Sequence, residues 1–487
     1  MSKPFSPRPW QIPMLEHLTT HNRCALWAKM GLGKTAVVLT WIMGRRMAGD
    51  ERKCLILAPL RVARKTWQEE CLKWDHLVDM DIIPVIGQVA ESRKALAIPA
   101  ENYSMNYENL PWLIKEFGEQ WPFKIVIADE SDALKSHRIS ERIATRKDGT
   151  RGTVYYTGQG SQRAGALARI AHTRIESIIQ LTGTPAPNGL TDLWGQVWFL
   201  DRGERLGRTF EAFSKRWFDK GYDGYSITAK SCADSQINTA VKDLCLAVDG
   251  KDWFNLDEPV KLTVEVELPG SARATYRDME KEMFAAIAGR EVQAVNAAAK
   301  TAKCLQIASG AVYVEPEATD DIDPRSRAWR EVHDEKIQAL KSIVAETGGS
   351  PLMVCYEFRS DAERLTKAFP KGRVLSTVQD EADFKAGKIP LLFLHPKSCG
   401  HGIDGFQHAC HHIVFFGHNW NLGQYLQVIE RVGPVRQMQA GLNRPVYVYH
   451  IVAKGTIDEL VMERRETKRE VQDILMNACK GERRGND

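Results

Sequence analysis

Ala25-Leu26-Trp27-Ala28-Lys29-Met30-Gly31-Leu32-Gly33-Lys34-Thr35 is the stretch that decides the fold. Cys24 to Trp27 is an apolar run, and Ala36 to Met43 reads as the first turns of a buried helix. Strand, glycine turn, Lys-Thr and helix follow in the order a phosphate cradle requires. Gly31 and Gly33 let backbone N–H groups converge on phosphate oxygens, and the helix N-terminus adds a favourable partial charge. Lys34 is then expected on the β- and γ-phosphates and the Thr35 hydroxyl on Mg²⁺. The strict pattern has Gly where this chain has Ala28. Alone, such a turn fixes only a turn, so the rest of the chain has to decide.

With 487 residues, the chain is long enough for several domains and a large core. Its 43% hydrophobic and 26% charged residues are ordinary for a soluble globular protein. A net charge of +4 gives no overall basic field, so a nucleic-acid partner must be argued from local patches. No apolar run approaches the roughly 18–20 residues of a membrane span, and the N-terminal Met1 to Gln11 lacks a secretory apolar core. The ten cysteines are scattered without a CxxC pair, which fits a reducing interior. These features predict a soluble cytoplasmic protein.

Short apolar strands at 54–58, 125–128 and 178–181 alternate with helices over residues 1–200, which predicts an α/β lobe around a parallel sheet. Residues 201–330 are expected to form a mostly helical insertion, with helices at 209–218, 238–248 and 270–289. Within it, Lys261 to Leu268 alternates and reads as an antiparallel strand. Pro316 to Pro324 reads as an acidic linker. From 331 to 487 the α/β alternation resumes, with strands near 352–356, 390–394, 412–416 and 446–452. A last helix at 456–476 and a basic tail follow.

Ile125-Val126-Ile127-Ala128-Asp129-Glu130 is a buried-type strand ending in adjacent acids, about 95 residues beyond Lys34. Asp129 suits the metal shell and Glu130 the activation of an attacking water. Leu181-Thr182-Gly183-Thr184-Pro185-Ala186-Pro187-Asn188, continuing to Trp194, puts the small hydroxyls of Thr182 and Thr184 at a strand end, where a relay can sense the γ-phosphate.

Together these segments resemble the superfamily 2 helicase-like ATPases, specifically the Snf-type DNA translocases. Met30 to Thr35 has the Snf-type form of the first motif, and Leu181 to Trp194 is a nearly complete third motif. The resemblance implies two RecA-like parallel-sheet lobes, with ATP and Mg²⁺ as cofactors. It implies that Gln11, beside Arg8 and Trp10, reads adenine, and that Arg61 in the Leu57–Arg64 stretch touches nucleic-acid backbone. Asn188 in the third motif, Ser398 in Ser398–Asp404 and Trp420 in His418–Asn421 are further implied nucleic-acid contacts. Gly402 and Asp404 are implied on the nucleotide, and Gln427 in coupling. The resemblance spans about Pro4 to Lys468, and short late loops suggest a bacterial or phage member.

Two departures stand out. Aligning Gln427, Arg431 and Gln437 puts Pro434 where the family has its arginine finger, so either Arg436 reaches across a loop bent by Pro434 or Arg431 takes both roles; Arg436 is the expected finger, with Arg431 as the other catalytic arginine. Asp132 stands where many relatives carry His, at a position that couples the second motif to the third.

Residues 135–174 hold nine Lys or Arg against two acids. Arg146 to Arg151 followed by Thr153 to Tyr156 reads as a hairpin with an Asp-Gly turn, forming a basic insert at about 138–165. Arg146, Lys147 and Arg151 suit phosphates, and Tyr155 suits base stacking. Cys399, His401, His408, Cys410, His411 and His412 crowd one region, but their spacing fits no familiar zinc ligand set.

The expected protein is therefore a monomeric DNA-dependent ATPase that moves along nucleic acid, with double-stranded DNA as the expected partner. The alternatives are a strand-separating helicase and a nucleic-acid-binding module with weak ATPase activity. A P-loop small-molecule kinase would leave Leu181–Trp194 and Gln427–Gln437 unexplained.

Overall fold

A computed structural model describes residues 2–145, 151–221, 227–253, 257–288, 294–314, 328–399, 403–442 and 444–478. It divides into two compact units, Met1–Asn255 with Lys468–Asp487, and Leu256–Thr467. The expected acidic linker at 316–324 and the basic tail from 479 onward lie outside the described residues.

In the first unit the strands are β1 (Arg23–Ala28), β2 (Lys53–Ala58), β3 (Ile82–Pro84), β4 (Asn102–Asn106), β5 (Phe123–Asp129), β6 (Arg138–Thr145), β7 (Arg151–Gln159), β8 (Ser177–Thr182), β9 (Phe218–Lys220), β10 (Ile227–Ala229) and β11 (Cys245–Val248). Seven of them form one sheet in the order β11-β1-β8-β5-β2-β4-β3, with every pairing parallel. β1 is buried along all but its first residue and β8 along its full length. Strands buried on both faces need continuous apolar sequence, which is why the runs at 54–58 and 125–128 are legible. The helix Lys34–Met47 buries Ala36, Val37, Val38, Leu39, Trp41 and Ile42.

The second unit holds β12 (Val260–Val266), β13 (Ala311–Tyr313), β14 (Trp329–Glu331), β15 (Leu352–Cys355), β16 (Arg373–Val374), β17 (Leu391–Leu394), β18 (His412–Phe415) and β19 (Tyr447–Ala453). Its six-stranded sheet runs β12-β19-β18-β15-β17-β16, again parallel throughout. The expected fold class, two parallel-sheet α/β lobes, is present.

The segment expected as a separate insertion at 201–330 is instead divided between the units. Its helix at 233–241 stops, and Cys245–Val248, read as helical from sequence, is a strand paired with β1. The gain of a parallel partner overrides local propensity in so short a run. Lys261–Val266 is a strand as expected but runs parallel to β19, not antiparallel. Its alternation reflects an edge position, with Val260 to Thr263 exposed and Val266 buried. The helices Gly270–Ala288 and Ala294–Ser309 are present and belong to the second unit.

A buried ion pair fixes the end of the second sheet. Lys336 Nζ lies 2.6 Å from Asp458 Oδ2, and the two side chains are 0% and 1% exposed. Asp458 also accepts from the Ala453 N–H at 3.0 Å, and Lys336 donates to Phe416 O at 3.2 Å. The pair thus pins the start of the helix Ile457–Ala478 to the end of β19. Asp458→Ala leaves a buried ammonium without its carboxylate, and we expect it to destabilise the second unit by about 3–5 kcal/mol. Lys336→Met with Asp458→Leu should recover most of the loss. Calorimetric melting of the single and double variants checks both.

Candidate nucleotide site

The carboxyl ends of β1, β8 and β5 lie side by side, because the three strands are neighbours in a parallel sheet. Trp27 is level with Thr182, and Asp129 with Leu181. The phosphate loop after β1, the acids after β5 and the threonines after β8 therefore share one edge, the position where α/β sheets bind ligands.

In the loop, Gly31 and Gly33 have φ of 83° and 79°, conformations that L side chains avoid. A Cβ on Gly33 would come within 2.3 Å of Gln11 Nε2. Gln11 is buried and donates to Leu32 O at 3.4 Å, and Trp10 Nε1 donates to the same oxygen at 3.1 Å. Arg8 donates its backbone N–H to Gln11 Oε1 at 2.9 Å, and its guanidinium lies 5.3 Å over the Trp10 ring. The Pro-Trp-Gln entry and the glycine loop are thus one packed unit. Lys34 starts the helix and donates Nζ to Ala28 O and, at 3.4 Å, to Lys29 O. Thr35, the next residue, is half-buried.

Asp129 is 9% exposed. Its Oδ2 accepts from Trp67 Nε1 at 3.1 Å, its Oδ1 from the Glu130 N–H at 3.1 Å, and its backbone carbonyl from Tyr107 OH at 2.9 Å. Burial pushes its carboxyl pKa up, against the Lys34 charge and the two N–H donors, which pull it down. A desolvated carboxylate whose donors do not fully offset its burial is a fitting ligand for a hard cation. Glu130 adopts φ 54° and ψ 58°, a left-handed conformation costing on the order of 1–3 kcal/mol for a non-glycine residue.

The third motif packs on the loop. A Cβ on Gly183 would sit 3.5 Å from Ala28 O and 3.6 Å from Lys29 Cα. Thr182 and Thr184 are buried, and Thr182 Oγ1 accepts from the Thr184 N–H at 3.0 Å. The link between second and third motifs runs through Ser131, whose hydroxyl donates to Gln196 Oε1 at 3.1 Å. Gln196 Nε2 donates in turn to Pro185 O at 2.6 Å. Asp132, singled out for this role in the sequence, pairs instead with Lys135 at 3.4 Å.

In the second unit, considered by itself, Pro434 begins the helix Pro434–Gln439 and Arg436 lies on it. Arg436 pairs with Asp404, so the fifth and sixth motifs meet there. Arg431 is 3% exposed and donates to Ile403 O at 2.6 Å. Gln437 is buried and donates to Cys410 O and Val432 O. Gln427 is half-buried on the preceding helix, and Gly402 lies outside the described residues.

The description SNF2-related domain matches residues 13–309. The chain belongs to the SNF2-related family. Protein p41 of Acyrthosiphon pisum secondary endosymbiont phage 1 is 48% identical over 98% of this chain and 99% of its own length. YwqA of Bacillus subtilis, by name a candidate ATP-dependent helicase/translocase, is 22% identical over 92% of this chain. The DNA annealing helicase and endonuclease ZRANB3 of Mus musculus is 23% identical over 95% of it. This chain spans only 46% and 40% of the lengths of those two relatives. The Sulfolobus solfataricus SWI2/SNF2 ATPase core in complex with dsDNA aligns with a TM-score of 0.41 at 18% identity, covering 97% of this chain and 93% of that one.

Of the positions the resemblance implies for nucleic acid, Arg61 is half-buried at the start of the helical turn Val62–Thr66 that follows β2, while Asn188 and Ser398 are exposed. Trp420 packs against the core of the second unit. Within the expected insert at about 138–165, β6 and β7 pair antiparallel, with Arg142 opposite Tyr155 and Thr145 opposite Arg151. Arg146, Lys147 and the Asp-Gly turn lie outside the described residues. In the His/Cys cluster, the Cys410 thiol is buried and donates to Pro351 O and His412 O. His412 stacks on Tyr447 with ring centroids 5.1 Å apart.

Three site residues had no assigned role in the sequence. Trp67 and Tyr107 hold Asp129, and Gln196 joins Ser131 to Pro185. Gln196 lies on the helix Thr191–Asp201, just beyond the third motif as read from the sequence. Gly33→Ala must occupy a left-handed conformation, costing about 1–2 kcal/mol, and displace Gln11. We expect at least about tenfold weaker nucleotide binding, with melting of the second unit unchanged. Titration with a fluorescent ADP analogue checks the binding.

Proposed function

We propose that this chain hydrolyses ATP to move along double-stranded DNA as a monomer. The observation that carries the reading is the convergence of Lys34, Asp129, Glu130, Thr182 and Thr184 on one edge of the first sheet. The Met30–Thr35 loop takes the β- and γ-phosphates, with Lys34 moving from its carbonyl partners onto them. Gln11 and Arg8 take the adenine end. Thr35 and Asp129 would hold Mg²⁺, which would supply charge neutralisation at the phosphates. Glu130 accepts the proton of the attacking water. Thr182 and Thr184 pass the state of the γ-phosphate, through the Ser131–Gln196–Pro185 bonds, to the third-motif helix. Gly402 and Asp404 complete nucleotide contacts, and Gln427 serves coupling.

Arg436 is the finger in this reading. Arg431 is committed to Ile403 O in the interior of its unit, whereas the partner of Arg436, Asp404, is 64% exposed and can yield to a phosphate. Arg436→Ala should lower turnover by a factor of roughly 10³ or more. Unchanged DNA-stimulated hydrolysis in Arg436→Ala, with activity abolished in Arg431→Ala, would reverse the assignment.

The track is argued from the family's DNA-acting members and from the basic hairpin. Arg61, Asn188, Ser398 and Trp420 are proposed core contacts, and Arg146, Lys147, Arg151 and Tyr155 hairpin contacts. Hydrolysis measured on single-stranded, duplex and forked DNA should be stimulated most by duplex. Triplex displacement without strand displacement is the expected motor behaviour, and the opposite pattern identifies a strand-separating helicase. Replacing Arg146, Lys147 and Arg151 with Glu should flatten the salt dependence of DNA binding, by roughly 0.9 in log–log slope for each phosphate no longer neutralised. An unaltered slope removes the hairpin from the track.

A further inference from the structure

The phosphate loop carries a second lysine. Lys29 Nζ lies 2.8 Å from Asp249 Oδ2, and the two side chains are 20% and 9% exposed. The Lys29 N–H donates to Val248 O at 3.4 Å, and Ala28 is level with Val248 where β1 pairs β11. The Lys29 carbonyl faces the other way along the loop, accepting from Lys34 Nζ. Lys29 is therefore held at backbone and side chain by consecutive residues at the end of β11, while its own carbonyl and that of Ala28 seat the phosphate-binding ammonium.

We propose that Asp249 is a positioning residue for the nucleotide site, acting through Lys29 on the limb of the loop that seats Lys34. This rests on the nucleotide reading above. The physical case is one of pre-organisation. A loop built on two left-handed glycines is flexible unless fixed from outside, and fixing it before the ligand arrives removes ordering cost from binding. Gly183 packs on one side of the limb, and the ion pair anchors the other. A carboxylate at the exit of β11 matters to the site only because Cys245–Val248 is a strand beside β1. With a helix at 238–248, this register would not exist.

Kinetics of the full chain test the assignment. Asp249→Asn keeps shape and removes charge. KM for ATP, and Kd for a fluorescent ADP analogue, should rise about tenfold, with a smaller fall in kcat. Lys29→Met should do the same, and the double variant should be no worse than either single. Exchanging the charges, Lys29→Asp with Asp249→Lys, should recover much of the affinity. An unchanged KM in Asp249→Asn, or additive losses in the double variant, overturns the proposal while leaving the proposed function intact. If Asp249→Asn does not fold, Lys29→Met alone decides, and an unchanged KM there overturns the proposal equally. A wild-type chain that binds no nucleotide takes down both readings.

Discussion

Backbone pairing of β8 with β1 on one side and β5 on the other sets Trp27 against Thr182 and Asp129 against Leu181. Every other feature of the candidate site is referred to that register. Parallel strands end at the same edge, so a loop, a carboxylate pair and two hydroxyls from segments far apart in sequence meet without any long side chain having to reach. A shift of one residue in the β5–β8 pairing would turn Asp129 to the other face of the sheet. The fully buried strands make such a slip expensive, since their apolar side chains have no solvent-exposed register to adopt.

Keeping a carboxylate at that edge has a cost, which the surrounding residues offset in part. Asp129 is buried enough for its pKa to rise. Trp67 and the Glu130 N–H each give it one hydrogen bond, and Tyr107 fixes its backbone. Those donors orient the carboxylate and leave its charge incompletely balanced. Glu130, next to it, stays in a left-handed conformation that packing must enforce. Strain and a carboxylate only partly compensated, at adjacent residues, suit the binding of a hard cation better than they suit stability.

The part of the candidate site in the first unit was legible because its sequence pattern is local. A glycine loop, a Lys-Thr pair and a strand ending in acids each announce themselves within a few residues, and the continuous apolar strands announce the parallel sheet. The supports were not legible, because they are long-range. Nothing near Trp67 or Tyr107 indicates Asp129, and Asp249 meets Lys29 only once β11 pairs with β1. Cys245–Val248 read as helix and Lys261–Leu268 as antiparallel for the same reason. Strand partners, which no local pattern encodes, decide both. Asp132 drew attention by family position, yet its neighbour Ser131 makes the bond to Gln196.

In the sixth motif, Pro434 stands where the resemblance implies an arginine. Proline lacks an N–H and has its φ preset, so it suits the first position of a helix, where Pro434 stands. Starting the helix there carries Arg436 onto its first turn. An arginine so near a helix N-terminus meets the positive end of the backbone dipoles. Asp404 supplies the compensating charge from the fifth motif. Arg431, at the end of the preceding helix, is 3% exposed and donates to Ile403 O in the interior. The proline that removes an arginine from the expected position thus also fixes where another can stand, paired with an exposed carboxylate for which a phosphate is a natural competitor.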